Sequence, residues 1–244
     1  MSSASRRSLR GLVAVVTGAS SGIGKAIARG LAAEGARLVL VSRDEGRLRD
    51  AAANWPGEVP PALLSADLLN EADVAGVART VIDRFDAVDV LVHSAGTITL
   101  GRFGELPLSA LDEQYLLNVR APFQLTQALL SQLITARGQV VFVNSSAGLV
   151  ARAGVSQYGA TKHAAKALAD SLRDEVHGAG VRVISVFPGR TATPMQAQVH
   201  EMEGRRYDPD ACLRADDVAS VVLNALTMPE SAEVKDISIR PMKE

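Results

Sequence analysis

Leu12-Val13-Ala14-Val15-Val16-Thr17-Gly18-Ala19-Ser20-Ser21-Gly22-Ile23-Gly24 is the stretch on which the reading of this chain turns. Its first half is an apolar run of strand length, and its second half is a glycine cluster that opens an amphipathic segment. Glycines at 18, 22 and 24 allow a tight turn in which backbone N–H groups approach an anion. A helix starting at about Gly22 would face that anion with its free donors and positive dipole end. The spacing, Gly-x3-Gly-x-Gly, differs from the usual dinucleotide fingerprint, and glycine clusters also serve as plain strand-to-helix turns. Placement in the first βα turn favours nucleotide binding, with Gly18, Ser20, Ser21, Gly22, Ile23 and Gly24 as the contact residues.

Working outward, Leu38–Val41, Ala62–Ala66, Val88–His93, Val140–Asn144, Val181–Phe187 and Ile237–Ile239 read as further buried strands. Between them lie helical patterns, as where Val74, Val77, Ala78, Val81, Ile82 and Phe85 recur every three or four positions. Strand–helix alternation implies right-handed crossovers and a parallel sheet covered on both faces. Strands that are apolar throughout fit that double burial. The expected fold is α/β: a single doubly wound Rossmann domain with a seven-stranded parallel sheet and helices on both faces. It should span residues 9–244, after a disordered tail at 1–8. No repeat or linker divides it. Pro194–Leu213 is the least regular stretch, polar and containing Gly204 and Pro209. It reads either as a lid over a substrate at the carboxyl ends of the strands or as a surface loop with a short helix.

Composition narrows the function classes. With 47% hydrophobic and 22% charged residues, the 244-residue chain has ample apolar matter for a core, which excludes disorder. A net charge of −1 argues against nucleic acid as a partner, and one Trp, three Tyr and five Phe leave little for base stacking. The single Cys212 cannot form an internal disulfide and suits a reducing, cytoplasmic setting. No signal-peptide pattern opens the sequence, and no apolar run approaches the roughly 20 residues of a membrane span. No metal site is expected.

The second strand ends at Val41-Ser42-Arg43. An acid there holds the ribose 2′-hydroxyl of NAD, whereas a nearby Arg accommodates the 2′-phosphate of NADP. Ser42 carries no charge to repel a phosphate and Arg43 follows it, so NADP(H) is favoured over NAD(H). The alternative is a solvated Arg43 paired with Asp44 or Glu45.

Ser156-Gln157-Tyr158-Gly159-Ala160-Thr161-Lys162 opens a long helical stretch running to about His177. Tyr158 and Lys162, four apart, share one helix face, and Ser145 lies thirteen residues upstream of Tyr158 at the end of the fifth strand. A phenol ionises near pH 10 and is a poor acid–base catalyst at neutral pH. A Lys⁺ beside it, with a positive nicotinamide ring, is expected to lower that value. Tyr158 would then give its proton to a substrate oxygen as hydride arrives at carbon, while Ser145 hydrogen-bonds the same oxygen. The alternative is a helix N-cap serine and a core-edge tyrosine.

Taken together, these motifs resemble the short-chain dehydrogenase/reductase family, from about Leu9 to Glu244. The TGxxxGxG loop corresponds to Thr17–Gly24 and the YxxxK pair to Tyr158 and Lys162. The family's serine falls on Ser145, with Ser146 a second candidate. The resemblance implies that Asn118 kinks the fourth helix and supports a relay from the lysine, and that Asp67, beside Leu68, contacts adenine. It further implies that Pro188, Gly189, Thr191 and Thr193 of the PGxxxT segment meet the nicotinamide, and that Lys162 holds its ribose. The family's NNAG stands here as His93-Ser94-Ala95-Gly96. The backbone approach of Ala95 and Gly96 is kept while both Asn side chains are gone; His93 is expected to be a polar residue bonded to nearby backbone. The ending Val234–Met242 lacks a glycine pair and resembles a subgroup of 3-hydroxy acid, serine and clavulanic acid dehydrogenases. The family's known members imply a small carbonyl or alcohol substrate and a homodimer or homotetramer. The alternative function is a non-catalytic NADP(H)-binding regulator. Thr97–Phe103, Ala147–Gly154 and Pro194–Tyr207 are expected to line the substrate pocket, with Arg152, Arg205 and Arg206 either drawing an anionic substrate or solvated.

Overall fold

A computed structural model describes residues 6–242. Five-residue apolar Val13–Thr17 forms β1, fully buried, and the glycine turn feeds α1 (Gly22–Ala33). The chain then runs β2 (Arg37–Ser42), α2 (Glu45–Ala52), β3 (Ala62–Ser65), α3 (Glu71–Arg84) and β4 (Val90–His93). A long helical passage follows: α4 (Leu108–Tyr115), a π-helical turn (Leu116–Arg120), α5 (Ala121–Ala128) and α6 (Leu130–Ala136). The second half comprises β5 (Gln139–Val143), α7 (Ser156–Val176), β6 (Arg182–Pro188), α8 (Pro194–Met202), α9 (Ala215–Leu226) and β7 (Asp236–Ile239).

The strands form one seven-stranded sheet in the order β3-β2-β1-β4-β5-β6-β7, and every pairing is parallel. Successive side chains along a strand point to opposite faces, which explains why both parities are apolar. Ala14 and Val16 pack with Ile27 and Leu31 of α1 and Val218 and Val222 of α9. Val15, Leu91 and Val140 pack on the other face with Val74 and Val81 of α3 and Leu125 of α5. The strand order reverses between β1 and β4, so a crevice opens beyond their carboxyl ends, where open α/β sheets place their ligands.

The stretch 194–213 carries the short helix that one of its two readings named: Pro194–Met202 is helix α8, with Pro194 in its first turn and the Thr193 hydroxyl accepting from Gln196 N–H at 3.1 Å. The excursion is also closed at its base. Leu213 pairs with Thr191 in a parallel bridge, and Arg190 at its start meets the Glu203 carboxylate at 2.7 Å. Of the expected tail, residues 1–5 lie outside the described residues. Arg7 N–H donates to the Thr227 carbonyl at 2.9 Å, and Leu9 is buried.

Among the described residues, no helix is long and apolar enough to cross a membrane.

Candidate active site

Loops at the carboxyl ends of the central strands enclose a cleft of about 860 Å³. One side is the glycine turn. Gly18 adopts φ +65°, and a Cβ there would lie 2.7 Å from Ala95 N. Gly22, at φ +53°, would meet the Thr193 methyl at 2.9 Å. Only glycine fits this conformation and this closeness at both sites, so the turn brings the loops after β1, β4 and β6 together. Gly24 sits below, against the Gly18 carbonyl, and does not line the cleft. The Thr17 hydroxyl accepts from Ser94 and Ala95 N–H at 3.1 and 3.2 Å, fixing the loop after β4. This anchoring is carried by a residue that the sequence showed only as part of the loop motif.

Gly18, Ser20, Ser21, Gly22, Ile23, Arg43, Leu68, Ala95, Gly96, Pro188, Gly189, Thr191 and Thr193 all line the cleft. Asp67 does not; its carboxylate accepts the Leu69 N–H at 3.1 Å in its own turn. At the end of β2 the Ser42 hydroxyl donates to Ser20 Oγ at 2.9 Å. Asp44 caps α2 by accepting from Arg47 N–H and faces the Arg47 guanidinium at 3.6 Å, while Glu45 pairs with Arg49. Arg43 therefore has no ion-pair partner among the described residues. Arg47, one turn into α2, also lines the cleft; it is a second cation that the sequence reading missed, because it becomes a neighbour only through the helix turn.

On the floor, Tyr158 and Lys162 are both buried on α7, and they line the cleft together with Ser145, which favours the ionised phenol. Ser145 Oγ accepts from Ala147 N–H at 3.1 Å, which holds the serine at the mouth of β5. Ser146 only starts the short turn that follows. The Lys162 ammonium lies 5.7 Å from the centre of the Tyr158 ring and donates to the Val143 carbonyl at 3.3 Å. Burial dominates both groups. It pushes the Tyr158 phenol up to about 12, against the opposing influence of Ser145, and pulls the Lys162 ammonium down to about 8. In the protein without a bound dinucleotide, desolvation decides the direction for both groups.

Asn118 occupies the π-helical turn, and its amide clasps Thr97 at both ends: Oδ1 accepts the N–H at 2.9 Å and Nδ2 donates to the carbonyl at 3.0 Å. Nδ2 also lies 3.1 Å from the Thr161 hydroxyl. Asn118 stays beneath the cleft, outside its lining. Asn144 was not singled out in the sequence. It is buried, donates to the Lys162 carbonyl at 3.0 Å and accepts Ser145 N–H at 2.8 Å, joining the serine to the tyrosine's helix. His93 is buried at the end of β4, but its Nε2 pairs with the Thr126 hydroxyl at 2.7 Å rather than with backbone. Its ring lies 4.9 Å from Phe142, and burial lowers its pKa to about 3.

Towards the open end the walls are apolar, with Ile98, Leu100, Val155, Met195 and Val199. Arg152, Arg205 and Arg206 are exposed and outside the lining; Arg190 lies in it, engaged by Glu203.

The short chain dehydrogenase profile matches residues 12–204. An uncharacterised oxidoreductase of Staphylococcus epidermidis is 35% identical over 231 residues, 94% of this chain and 97% of that one. An uncharacterised short-chain type dehydrogenase/reductase of Sinorhizobium fredii is 35% identical over 234 residues, covering 94% and 91%. Among solved structures, the alcohol dehydrogenase of the archaeon Thermococcus sibiricus, complexed with 5-hydroxy-NADP, superposes with a TM-score of 0.86 at 28% identity, covering 96% and 97%. A metagenomic short-chain oxidoreductase in complex with NADP gives 0.83 at 31%, covering 98% and 100%. A glycine turn folded against the loops of a switch-point cleft, over a floor of Ser145 with the buried Tyr158 and Lys162, is matched by likeness along nearly the whole chain: this protein belongs to the short-chain dehydrogenases.

Proposed function

We propose that the protein is an NADP(H)-dependent oxidoreductase that interconverts a carbonyl and a secondary alcohol. The observation that carries this reading is the convergence of Ser145, Tyr158 and Lys162 on the cleft that the glycine turn also lines. The residues present suit a dinucleotide: a turn with no room for a Cβ at Gly18, backbone donors at the start of α1, and a β2 end without an acid. Arg43, unpaired among the described residues, with Arg47 beside it supports the 2′-phosphate and hence NADP(H) over NAD(H). Asp67 and Leu68 would flank the adenine, and Pro188, Gly189, Thr191 and Thr193 the nicotinamide. When bound, the cofactor supplies the hydride and, once oxidised, a positive ring near the phenol.

Tyr158 is the proton donor and acceptor. A phenol held near 12 is fully protonated at neutral pH, the state needed to give a proton to the substrate oxygen during reduction. Ser145 donates to that same oxygen, where charge develops. Lys162 holds the nicotinamide ribose and tunes the tyrosine, and Asn118 supports the relay behind it. The apolar outer walls favour an aliphatic or aromatic carbonyl, and the ending at Asp236–Met242 without a glycine pair supports kinship with the 3-hydroxy acid, serine and clavulanic acid dehydrogenases. A cytoplasmic homodimer or homotetramer agrees with the lone cysteine and with the exposed apolar Leu108, Tyr115 and Phe123 on α4 and α5.

NADPH and NADH consumption with a panel of aldehydes, diketones and 3-oxo esters tests this. Turnover should prefer NADPH, and Tyr158→Phe should lower kcat by about 10²–10⁴-fold while leaving NADPH affinity within about twofold. NADPH binding without turnover on any panel member would replace this reading with a binding protein.

A further inference from the structure

A chain of side-chain amides outside the reacting groups controls one wall of the cleft. Residues 94–102 after β4 form no regular structure, yet Ile98 and Leu100 line the cleft. Beside them, Thr97 and Thr99 take partners from the α4 passage, and Gly101 N–H donates to the Gly154 carbonyl at 3.0 Å. Gln114, with no exposed surface, accepts the Thr99 N–H on Oε1 at 3.1 Å. One turn on, Asn118 holds Thr97. A helical turn rises about 6 Å and two residues of open chain span at most about 7 Å, so two amides four apart can hold Thr97 and Thr99 together. Gln114 Nε2 donates onward to the Ala110 carbonyl at 3.0 Å and to Gln157 Oε1 at 3.2 Å. Gln157, next to Tyr158, donates to the Pro107 carbonyl at 3.0 Å.

We propose that Gln114 is the positioning residue that sets the substrate wall, Ile98 and Leu100, at a fixed distance from Tyr158, and so decides which carbonyls fit. It touches no reacting atom. An apolar side chain there would take the acceptor from the half-buried Thr99 N–H and the donor from Gln157 Oε1, a loss the wall would relieve by moving. Displacements of about 1 Å near a reacting centre change rates by up to about a hundredfold. The specificity claim rests on the oxidoreductase reading; the placement of the wall does not.

Gln114→Leu, Gln114→Glu and the wild type separate the possibilities. Gln114→Leu removes the acceptor, whereas Gln114→Glu, kept protonated by its burial, retains an acceptor for the Thr99 N–H and one O–H donor towards Gln157 Oε1. Hydrogen-exchange mass spectrometry should show faster exchange in segment 97–100 for Gln114→Leu and near wild-type protection for Gln114→Glu. Across the carbonyls that the wild type reduces, the ratio of kcat/KM for the bulkiest to the smallest should shift by about tenfold or more in Gln114→Leu, mainly through KM, and by less than about threefold in Gln114→Glu. Unchanged exchange in segment 97–100, or equal loss for every carbonyl, overturns the proposal. Should Gln114→Leu fail to fold, Gln157→Leu frees the Gln114 amide to rotate; a smaller shift of the same ratio supports the assignment and an unchanged ratio overturns it. A wild type that reduces no panel member defeats the oxidoreductase reading, while the exchange data still judge Gln114.

Discussion

Tyr158, Lys162 and His93 show what burial does to single side chains. All three are removed from water, and each is driven towards its neutral form. For His93 this has a consequence for stability. The folded imidazole, near pKa 3, stays neutral through mildly acidic pH, while the unfolded chain takes up a proton as pH falls through 6.5. Stability is therefore lost progressively from pH 6.5 down to about 3, amounting to about 2 kcal/mol by pH 5. In His93→Asn, denaturant unfolding at pH 7 and pH 5 should show that part of the loss gone; equal losses in variant and wild type would contradict it. Tyr158 and Lys162 were legible as a pair because residues one helical turn apart share a face, and Ser145 joined them by its place at a strand end and by the family resemblance. The direction of the phenol's shift was not legible, since it depends on how completely Tyr158 is enclosed.

At the scale of elements, β5 and α7 must be held in register for that convergence to matter. The Asn144 side chain does this by bonding to both Ser145 and Lys162. Asn144→Ala leaves the Ser145 N–H without its acceptor, so unfolding free energy should drop by about 1–3 kcal/mol. The displaced serine should lower kcat by about tenfold, with KM for NADPH unchanged. Chemical denaturation together with steady-state kinetics checks both, and a stability loss at constant kcat would leave Asn144 a purely structural residue. Strands and long helices were readable to within one or two residues, because apolar runs and periodic faces report burial directly. Helix α8 was legible only as a short helix somewhere in 194–213, without bounds, because a polar helix over a cleft has little apolar face to display.

For the molecule as a whole, the proposed assembly is where the remaining apolar surface matters. Leu108, Tyr115 and Phe123 are 77%, 50% and 51% exposed along one helical passage, whereas Ala165 of α7 is buried and Leu172 packs against the core. The small residues of α7 thus divide between the sheet and the surface, where Ala167 is exposed. Sedimentation velocity should find a dimer or tetramer for the wild type and a monomer for the double variant Tyr115→Glu, Phe123→Glu; a monomeric wild type would sink the assembly. What the sequence by itself determined is the doubly wound sheet, the glycine turn and the serine–tyrosine–lysine set. Those follow from local periodicity, from backbone conformations only glycine adopts, and from fixed spacings within an element. Only the tertiary structure decided that Arg43 stands unpaired beside Arg47, that Thr17 anchors the loop after β4, that Asn144 joins serine to helix and that Gln114 holds the wall at Thr99. Each of those depends on side chains from separate elements meeting, and their hydrogen bonds form only once the sheet has brought distant segments within about 3 Å.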